Sequence, residues 1–524
     1  MALRLTKTLY SKGERCKKRL WLARHRPELR QGDGSYAMLT VLGNRVGAFA
    51  KKWFAAKASR CVDLSDELDA DRAVQLTKDA LQDPEVDTIL EAAFEGNNVL
   101  IRADAVTRSS DTITEKSESN GSGKDVANGT SLWDITEIKS SHELRQDHLS
   151  DIALQRNAVN ASGLAKVNRC ILAHLNRDFI FDGSSYEKLL LHVDVTEHLD
   201  PESVVNEKIA QNASLLEEGS PRPPIPVGSY CNKPFACEFL THCSGIKQQE
   251  EGKVPLTVLP SVGLRRAAIF KMDGIETLDQ VPSDFLKTPL QKRIWKAHME
   301  NETYVSPEIK YKLERQPWPR YFMDFEMVQQ GVPLVPGTGA REAHPFQWSV
   351  HRWDEFDQEL EVEDGLSFLS FEAEGVRPKF VASLVEAVGE SGPIFVHSIA
   401  AERSVIKGLM AKPDCQEFVP ALENIIGRLT DTLEITRKHF YSPTQMGSFA
   451  LKNLIKAIPT RVEYVDESHT VANGLQAQEA WFECVDPNTS PARREEVRAA
   501  LIRYCASDTL AMVDLVKYLQ TIGK

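Results

Sequence analysis

The 524-residue chain predicts an α/β protein: two large α/β regions joined by a short helical segment. Three observations lead there. Short apolar runs such as "NVLIRADAV", "LWDITEIKS", "RYFMDFEMV" and "GPIFVHS" alternate with longer stretches of helical period, the pattern of strands interleaved with helices. The length is more than one hydrophobic core usually serves. Composition then shifts near residues 245 and 315, which marks regions 1–245, 246–315 and 316–524.

The first region opens on a basic segment, with 15 Lys+Arg against 3 Asp+Glu in residues 1–60, although the whole chain carries a net charge of −12. Such a segment is a local electrostatic footprint suited to phosphates, and Lys17, Lys18 and Arg19 are its densest run; the competing reading is a solvated basic helix face. Residues 109–131, "SSDTITEKSESNGSGKDVANGTS", are polar and aperiodic, so they read as a flexible insertion between two strands. The region closes on "YCNKPFACEFLTHC", which sets Cys231, Cys237 and Cys243 at equal intervals. Nine cysteines in a chain this long, with no apolar run after the N-terminal positive charges, do not make a disulfide framework; Cys61, Cys170, Cys415, Cys484 and Cys505 read as ordinary buried thiols. No window approaches the ~20 apolar residues of a membrane span, so the expectation is a cytoplasmic protein with no membrane partner.

In the middle region, "LPSVGLRRAAIFKMDGIETLDQVP" carries a Gly274-Ile275 turn beside Arg265 and Arg266 and resembles a helix-hairpin-helix unit, with a plain helical connector as the alternative. The third region runs from "RYFMDFEMV" to the amphipathic helix "EEVRAALIRYCASDTLAMVDLVKYLQ".

Two constellations carry chemistry. Residues two apart on a strand share a face, so Glu137 and Lys139 of "WDITEIKS" point together, and Asp104 of "IRADAV" on a neighbouring strand brings a second carboxylate. Two carboxylates with a Mg²⁺ or Mn²⁺ ion make a phosphodiester-hydrolysing site in which a lysine orients water or stabilises charge. Asp151 and Gln155, four apart, share one face of the following helix. In the third region Asp324 and Glu326 share a strand face, Glu402 follows the strand of "PIFVHSIAAE", and Tyr504 and Asp508 stand one helical turn apart. Asp431 is a rival third acid whose position fits a helix cap better.

The first set resembles the RecB-like branch of PD-(D/E)XK nucleases, including members with an iron–sulfur cluster, over residues 5–245. That resemblance implies a restriction-endonuclease-like fold, Asp104 and Glu137 as metal ligands, Lys139 as the catalytic lysine and Gln155 as the helix glutamine. It also implies that Cys16 joins Cys231, Cys237 and Cys243 on a [4Fe–4S] cluster; structural Zn²⁺, with His242 as a further ligand, is the alternative. The sequence departs from the family pattern at Gly47, where many relatives have a metal-binding His, and at Val159, where a Tyr is frequent; Glu91 is a candidate to compensate.

The second set resembles the DEDDy exonucleases of the ribonuclease H-like fold. The resemblance implies two divalent ions held by Asp324, Glu326, Glu402 and Asp508, with Tyr504 positioning water. Glu402 stands where the family usually has Asp. "GSFALKNLIKAIP" is similar to a helix start in such enzymes, and its Lys452 is expected at a phosphate. The whole order resembles a bacterial family of fused predicted nucleases. The expectation is therefore a metal-dependent nuclease acting on nucleic acid, DNA before RNA, with 3′→5′ exonuclease activity in residues 316–524; the alternative is a nucleic-acid-binding protein in which one or both sites are degenerate.

Overall fold

A computed structural model describes residues 4–31, 35–109, 132–233, 235–244, 253–462 and 471–522. Of the expected insertion at 109–131, all but Ser109 thus lies outside the described residues. The chain divides into two compact units, Met1–Cys243 with Gly331–Pro333, and Ser244–Gln330 with Leu334–Lys524.

The first unit begins β1 (Leu5–Thr6), α1 (Lys7–Arg15), α2 (Lys17–His25), α3 (Ser35–Lys57), β2 (Cys61–Asp63) and α4 (Ala70–Gln82). It continues β3 (Thr88–Gly96), β4 (Val99–Arg108), β5 (Leu132–Lys139), α5 (Gln146–Ser162), β6 (Lys166–Leu175), β7 (Leu190–Asp194), α6 (Glu202–Ser214) and α7 (Leu240–Ser244). These strands form one mixed sheet ordered β2-β3-β4-β5-β6-β7, with β1 added parallel to β4. β3, β4 and β5 are antiparallel neighbours; β5 and β6 run parallel because α5 carries the chain back across the sheet. The core beneath α5 joins Phe94, Ile101, Ile135, Leu154 and Leu172. Gly96 is required where β3 ends under α5: a Cβ there would lie 2.3 Å from the Ala158 carbonyl oxygen.

The second unit continues with α8 (Leu264–Met272), α9 (Pro289–Glu300), β8 (Tyr304–Val305), α10 (Ile309–Glu314), β9 (Arg320–Gln329), β10 (Ala343–Trp353), β11 (Leu366–Leu369) and α11 (Val376–Val388). Then come β12 (Ile394–Val396), α12 (Ile399–Met410), α13 (Val419–Arg428), β13 (Leu429–Asp431), α14 (Thr432–His439) and β14 (Phe440–Tyr441). The last helices are α15 (Leu451–Leu454), α16 (Gly474–Val485) and α17 (Pro491–Ile522). Five strands make a sheet ordered β11-β10-β9-β12-β13, antiparallel over the first three and parallel over the last three. One face of β9 packs Tyr321, Met323 and Phe325 against α11 and α12; from the other, Phe322 joins a core with Leu510 and Leu515 of α17.

Residues 253–315 fall within the second unit and do not form a body of their own. Leu256, Val258, Phe270, Leu278, Ile294 and Leu313 share one core with Met512, Leu515 and Leu519 of α17. The expected hairpin is also absent in its simple form among the described residues: α8 ends at the Gly274 turn (φ +78°), two three-residue turns, Leu278–Gln280 and Ser283–Phe285, follow, and the next α-helix starts at Pro289. Helix α17 is less one-sided than its sequence predicts, since Cys505 to Ser507 and Thr509 to Val516 are all buried. Among the described residues, no helix is long and apolar enough to cross a membrane.

Candidate active sites

In the first unit the β4–β5 register pairs Ala105 with Thr136, which brings Asp104 opposite Glu137 one step further along. The Ile138 N–H donates to Asp104 Oδ2 at 2.7 Å. Lys139 reaches the same side as Glu137, donating to Glu137 Oε1 at 2.7 Å and to Asp151 Oδ2 at 2.6 Å. Gln155, one turn beyond Asp151 on α5, donates to the other Glu137 oxygen at 2.7 Å. The expected quartet Asp104, Glu137, Lys139 and Gln155 is thus gathered by two strands and one helix.

Lys7 belongs to the same cluster and was not anticipated from the sequence. Its ammonium lies 2.7 Å from Glu137 Oε1 and 3.6 Å from Asp151 Oδ2. A signal existed: Thr6 caps α1 by accepting from Leu9 N–H, so Lys7 is a cation at a helix N-terminus, where the dipole disfavours it unless an anion faces it. Burial and the Glu137 charge push the Asp104 carboxyl up to about 7, against Lys7 and Lys139. Burial opposes ionisation of Glu137 too, but Lys139 and Lys7 outweigh it and hold that carboxyl below the usual range. Of the departures, Gly47 has open space, since a Cβ there meets nothing within 4 Å, and Val159 is a core residue. Glu91 is held by Lys51 at 2.6 Å and by Arg102 at 3.7 Å, an ion-paired role in place of the compensating one expected.

Cys16, at the junction of α1 and α2, lines one small pocket together with Cys231, Cys237 and Cys243. Arg15 fixes this junction by donating from Nε to the Tyr230 carbonyl at 3.0 Å and from Nη2 to that of Phe235, while Cys237 N–H donates to the Cys231 carbonyl at 2.7 Å. Among the described residues, no three of these thiols fall within 4.8 Å of one another.

Beside this pocket Lys17, Lys18 and Arg19 each make contacts within the first unit. Lys17 donates to Asn212 Oδ1 at 2.7 Å, Lys18 to the Ile225 carbonyl at 3.1 Å, and Arg19, only 8% exposed, pairs with Glu238 at 2.7 Å. Lys12 pairs with the same Glu238. These cations fasten the N-terminal helices to the closing segment of an otherwise acidic chain.

In the second unit, β9 presents Asp324 and Glu326, whose oxygens and the Cys505 sulfur lie within 4.8 Å of one another. Cys505 is buried, as expected, and its Sγ lies 3.8 Å from Asp324 Oδ2. Its sequence signal was its i, i+3 relation to Asp508 on α17. The remaining acids share one electrostatic field. Burial and then Asp508 push Asp324 well up; burial, Asp324 and Asp508 do the same to Glu326; burial, Asp324 and Glu326 do it to Glu402. Glu402, in the first turn of α12, keeps Oε2 buried without a hydrogen-bond partner. Burial followed by Asp508, Glu326 and Asp324 raises the Tyr504 phenol far above its ordinary range, so it stays protonated. Lys452 lies 5.0 Å from the centre of the Tyr504 ring and donates to the Ala472 carbonyl at 2.6 Å.

Asp431 is a cap. It accepts from Leu433 and Glu434 N–H at 2.9 and 3.2 Å to start α14, and from Ser398 and Ile399 N–H at 3.3 and 3.0 Å, which ties it to the start of α12. Ser398 there adopts φ +91°, a strained turn for a residue with a Cβ.

A family model described as a domain of unknown function (DUF2779) matches residues 321–450. The match takes in Asp324, Glu326 and Glu402 and stops before Tyr504 and Asp508. No curated protein matches the chain.

Proposed function

We propose that the chain is a metal-dependent nuclease with two phosphodiester-hydrolysing sites, DNA before RNA, the second being a 3′→5′ exonuclease. The observation that carries this reading is the second site: Asp324, Glu326, Glu402 and Asp508 come from a strand and two helices and lie close enough to act on one another's protonation through burial and mutual repulsion. Such a group is costly unless divalent cations neutralise it, and the buried, unpartnered Glu402 oxygen fits that requirement. The strand order β11-β10-β9-β12-β13 supports a ribonuclease H-like fold; β3-β4-β5 followed by α5 and a parallel β6 supports a PD-(D/E)XK core.

In the first site Asp104 and Glu137 would hold Mg²⁺ or Mn²⁺, and in the second the four acids would. The ions would supply charge stabilisation at the scissile phosphate and an activated water. The chain's own residues do the rest. Lys139 remains an ammonium despite burial, because Glu137 and Asp151 stabilise its charge, and it can face developing negative charge. Gln155 fixes Glu137 through its second oxygen. Tyr504 keeps its proton and can orient an attacking water by hydrogen bonding. The four thiols gathered around one pocket fit a [4Fe–4S] cluster as a structural fastening.

The test uses anaerobically purified protein on end-labelled single- and double-stranded DNA and RNA with Mg²⁺ or Mn²⁺. Asp324→Ala should reduce stepwise 3′ shortening by about 10²-fold or more, and Asp104→Ala should remove the remaining cleavage. Protein that shifts nucleic acid in a gel yet cleaves nothing overturns the enzyme reading in favour of a binding role.

A further inference from the structure

Helix α12 has two sides. One carries Glu402 to the acid cluster; the other, through Ala401, Ser404, Val405, Gly408 and Leu409, walls a pocket of about 370 Å³ whose opposite wall is the β9–β10 connection, including Thr338 and Glu342, and the first residues of β10. That volume lies in the range of small-molecule sites. Two buried polar side chains line it without satisfying their polar atoms: His344, 2% exposed, has no hydrogen-bond partner at Nε2, and Arg377, 9% exposed, has none at Nη1.

The other Arg377 nitrogens are committed. Nε donates to Asp414 Oδ1 and Oδ2 at 3.1 and 3.0 Å, and Nη2 lies 2.9 Å from Oδ2. That ion pair holds the guanidinium plane and leaves Nη1 as the edge without an acceptor. Lys412 pairs with Glu342 and donates to the Gly337 carbonyl at 2.9 Å, so these two charges balance each other at the rim. Burial, Arg377 and Lys412 lower His344 to about 4, which leaves a neutral imidazole at working pH. A buried arginine N–H without an acceptor is costly, so the pocket is matched by a guest that brings acceptor oxygens. Its apolar wall of Met327, Val405 and Leu409 leaves room for more than a bare anion.

We propose that this pocket binds the phosphate of a nucleotide, with oxygens accepting from Arg377 Nη1 and facing His344 Nε2, and the nucleoside body against Met327, Val405 and Leu409. The choice of a nucleotide rests on the nuclease reading; the demand for an oxyanion rests on the pocket alone. The phosphate is either that of a free mononucleotide or a phosphodiester of a bound strand.

The experiment is calorimetric titration of the full chain in EDTA with thymidine monophosphate, thymidine, inorganic phosphate and an oligothymidylate. Two variants keep Arg377 and its ion pair: His344→Phe, and Gly408→Leu, which fills the pocket from a helix position where a Cβ meets nothing within 4 Å. Thymidine monophosphate should bind and thymidine should not, and each variant should weaken binding by about tenfold or more, the loss expected for a hydrogen bond to a charged group or for a filled site. Tighter, variant-sensitive binding of the oligonucleotide assigns the phosphate to a strand; preference for the mononucleotide assigns it to the free form. Absence of binding by both phosphate-bearing nucleotides, equal binding of thymidine, or insensitivity to both variants overturns the proposal. If cleavage in Mg²⁺ persists while these titrations fail, the pocket assignment alone falls; if no cleavage occurs but the titrations succeed, the nuclease reading falls and the pocket stands.

Discussion

Burial and the neighbouring acids, Asp508 among them, oppose the ionisation of Asp324, Glu326 and Glu402, so the second site is held at the expense of stability. Asp324→Asn should therefore raise the metal-free melting temperature by about 2–4 °C, from relief of roughly 1 kcal/mol, and diminish the further rise that Mg²⁺ or Mn²⁺ should give the wild type. Asp104 gives a pH signature. Its carboxyl titrates at about 7 in the fold, against the ordinary 3.8 when unfolded, so between these values the folded protein holds the extra proton. Its contribution to stability is then greatest below pH 4, falls as pH rises to about 7, and is level above. Asp104→Asn keeps an acceptor for Ile138 N–H and should melt progressively above the wild type as pH rises through that window, which thermal scans at pH 4 to 8 would check; a constant difference would contradict it. Both acid sets were legible, because i, i+2 on a strand and i, i+4 on a helix are properties of the chain itself. Lys7 and Cys505 were not, since each acquires its meaning from a partner more than a hundred residues away.

At the scale of elements, the placement of Glu402 depends on a short joint. Ser398 sits at positive φ, and Asp431 caps α14 while binding the first N–H groups of α12. Asp431→Ala should cost about 1–2 kcal/mol as a lost cap and, because α12 would loosen at its first turn, should lower exonuclease activity while cleavage at the first site is retained. Melting curves and the two Asp-variant backgrounds separate these effects. The strands were readable as alternating or apolar runs. The helical residues 246–315 were not readable as part of the second unit, because their apolar faces point to no partner until α17, two hundred residues on, covers them. Nor was the all-round burial of α17 past Tyr504: periodicity describes one face, and this helix is enclosed on several.

Across the whole molecule, the cluster proposed for the four-thiol pocket would fasten the start of the first unit to its end. Closing a loop from Cys16 to Cys231 restricts the unfolded chain by on the order of 5 kcal/mol in the simple entropy picture. Cys16→Ala should bleach the absorbance near ~400 nm that a cluster would give and lower the melting of the first unit, with the second site's exonuclease activity retained. Full colour in that variant would show that another ligand completes the set. At this same scale, charge counted along the sequence does not show that Lys12, Lys17, Lys18 and Arg19 have counterparts in Glu238, Asn212 and a backbone carbonyl.

The same fastening has a consequence for biosynthesis. Cys16 leaves the ribosome long before Cys243, and at about 5–20 residues per second the intervening chain takes roughly 10–45 s to emerge. For that interval α1 and α2 lack the segment that completes their pocket, with Arg19 and Lys12 still without Glu238. The first unit is thus completed late in its own synthesis, and the cluster proposed for it would be built only after residue 243 has been made.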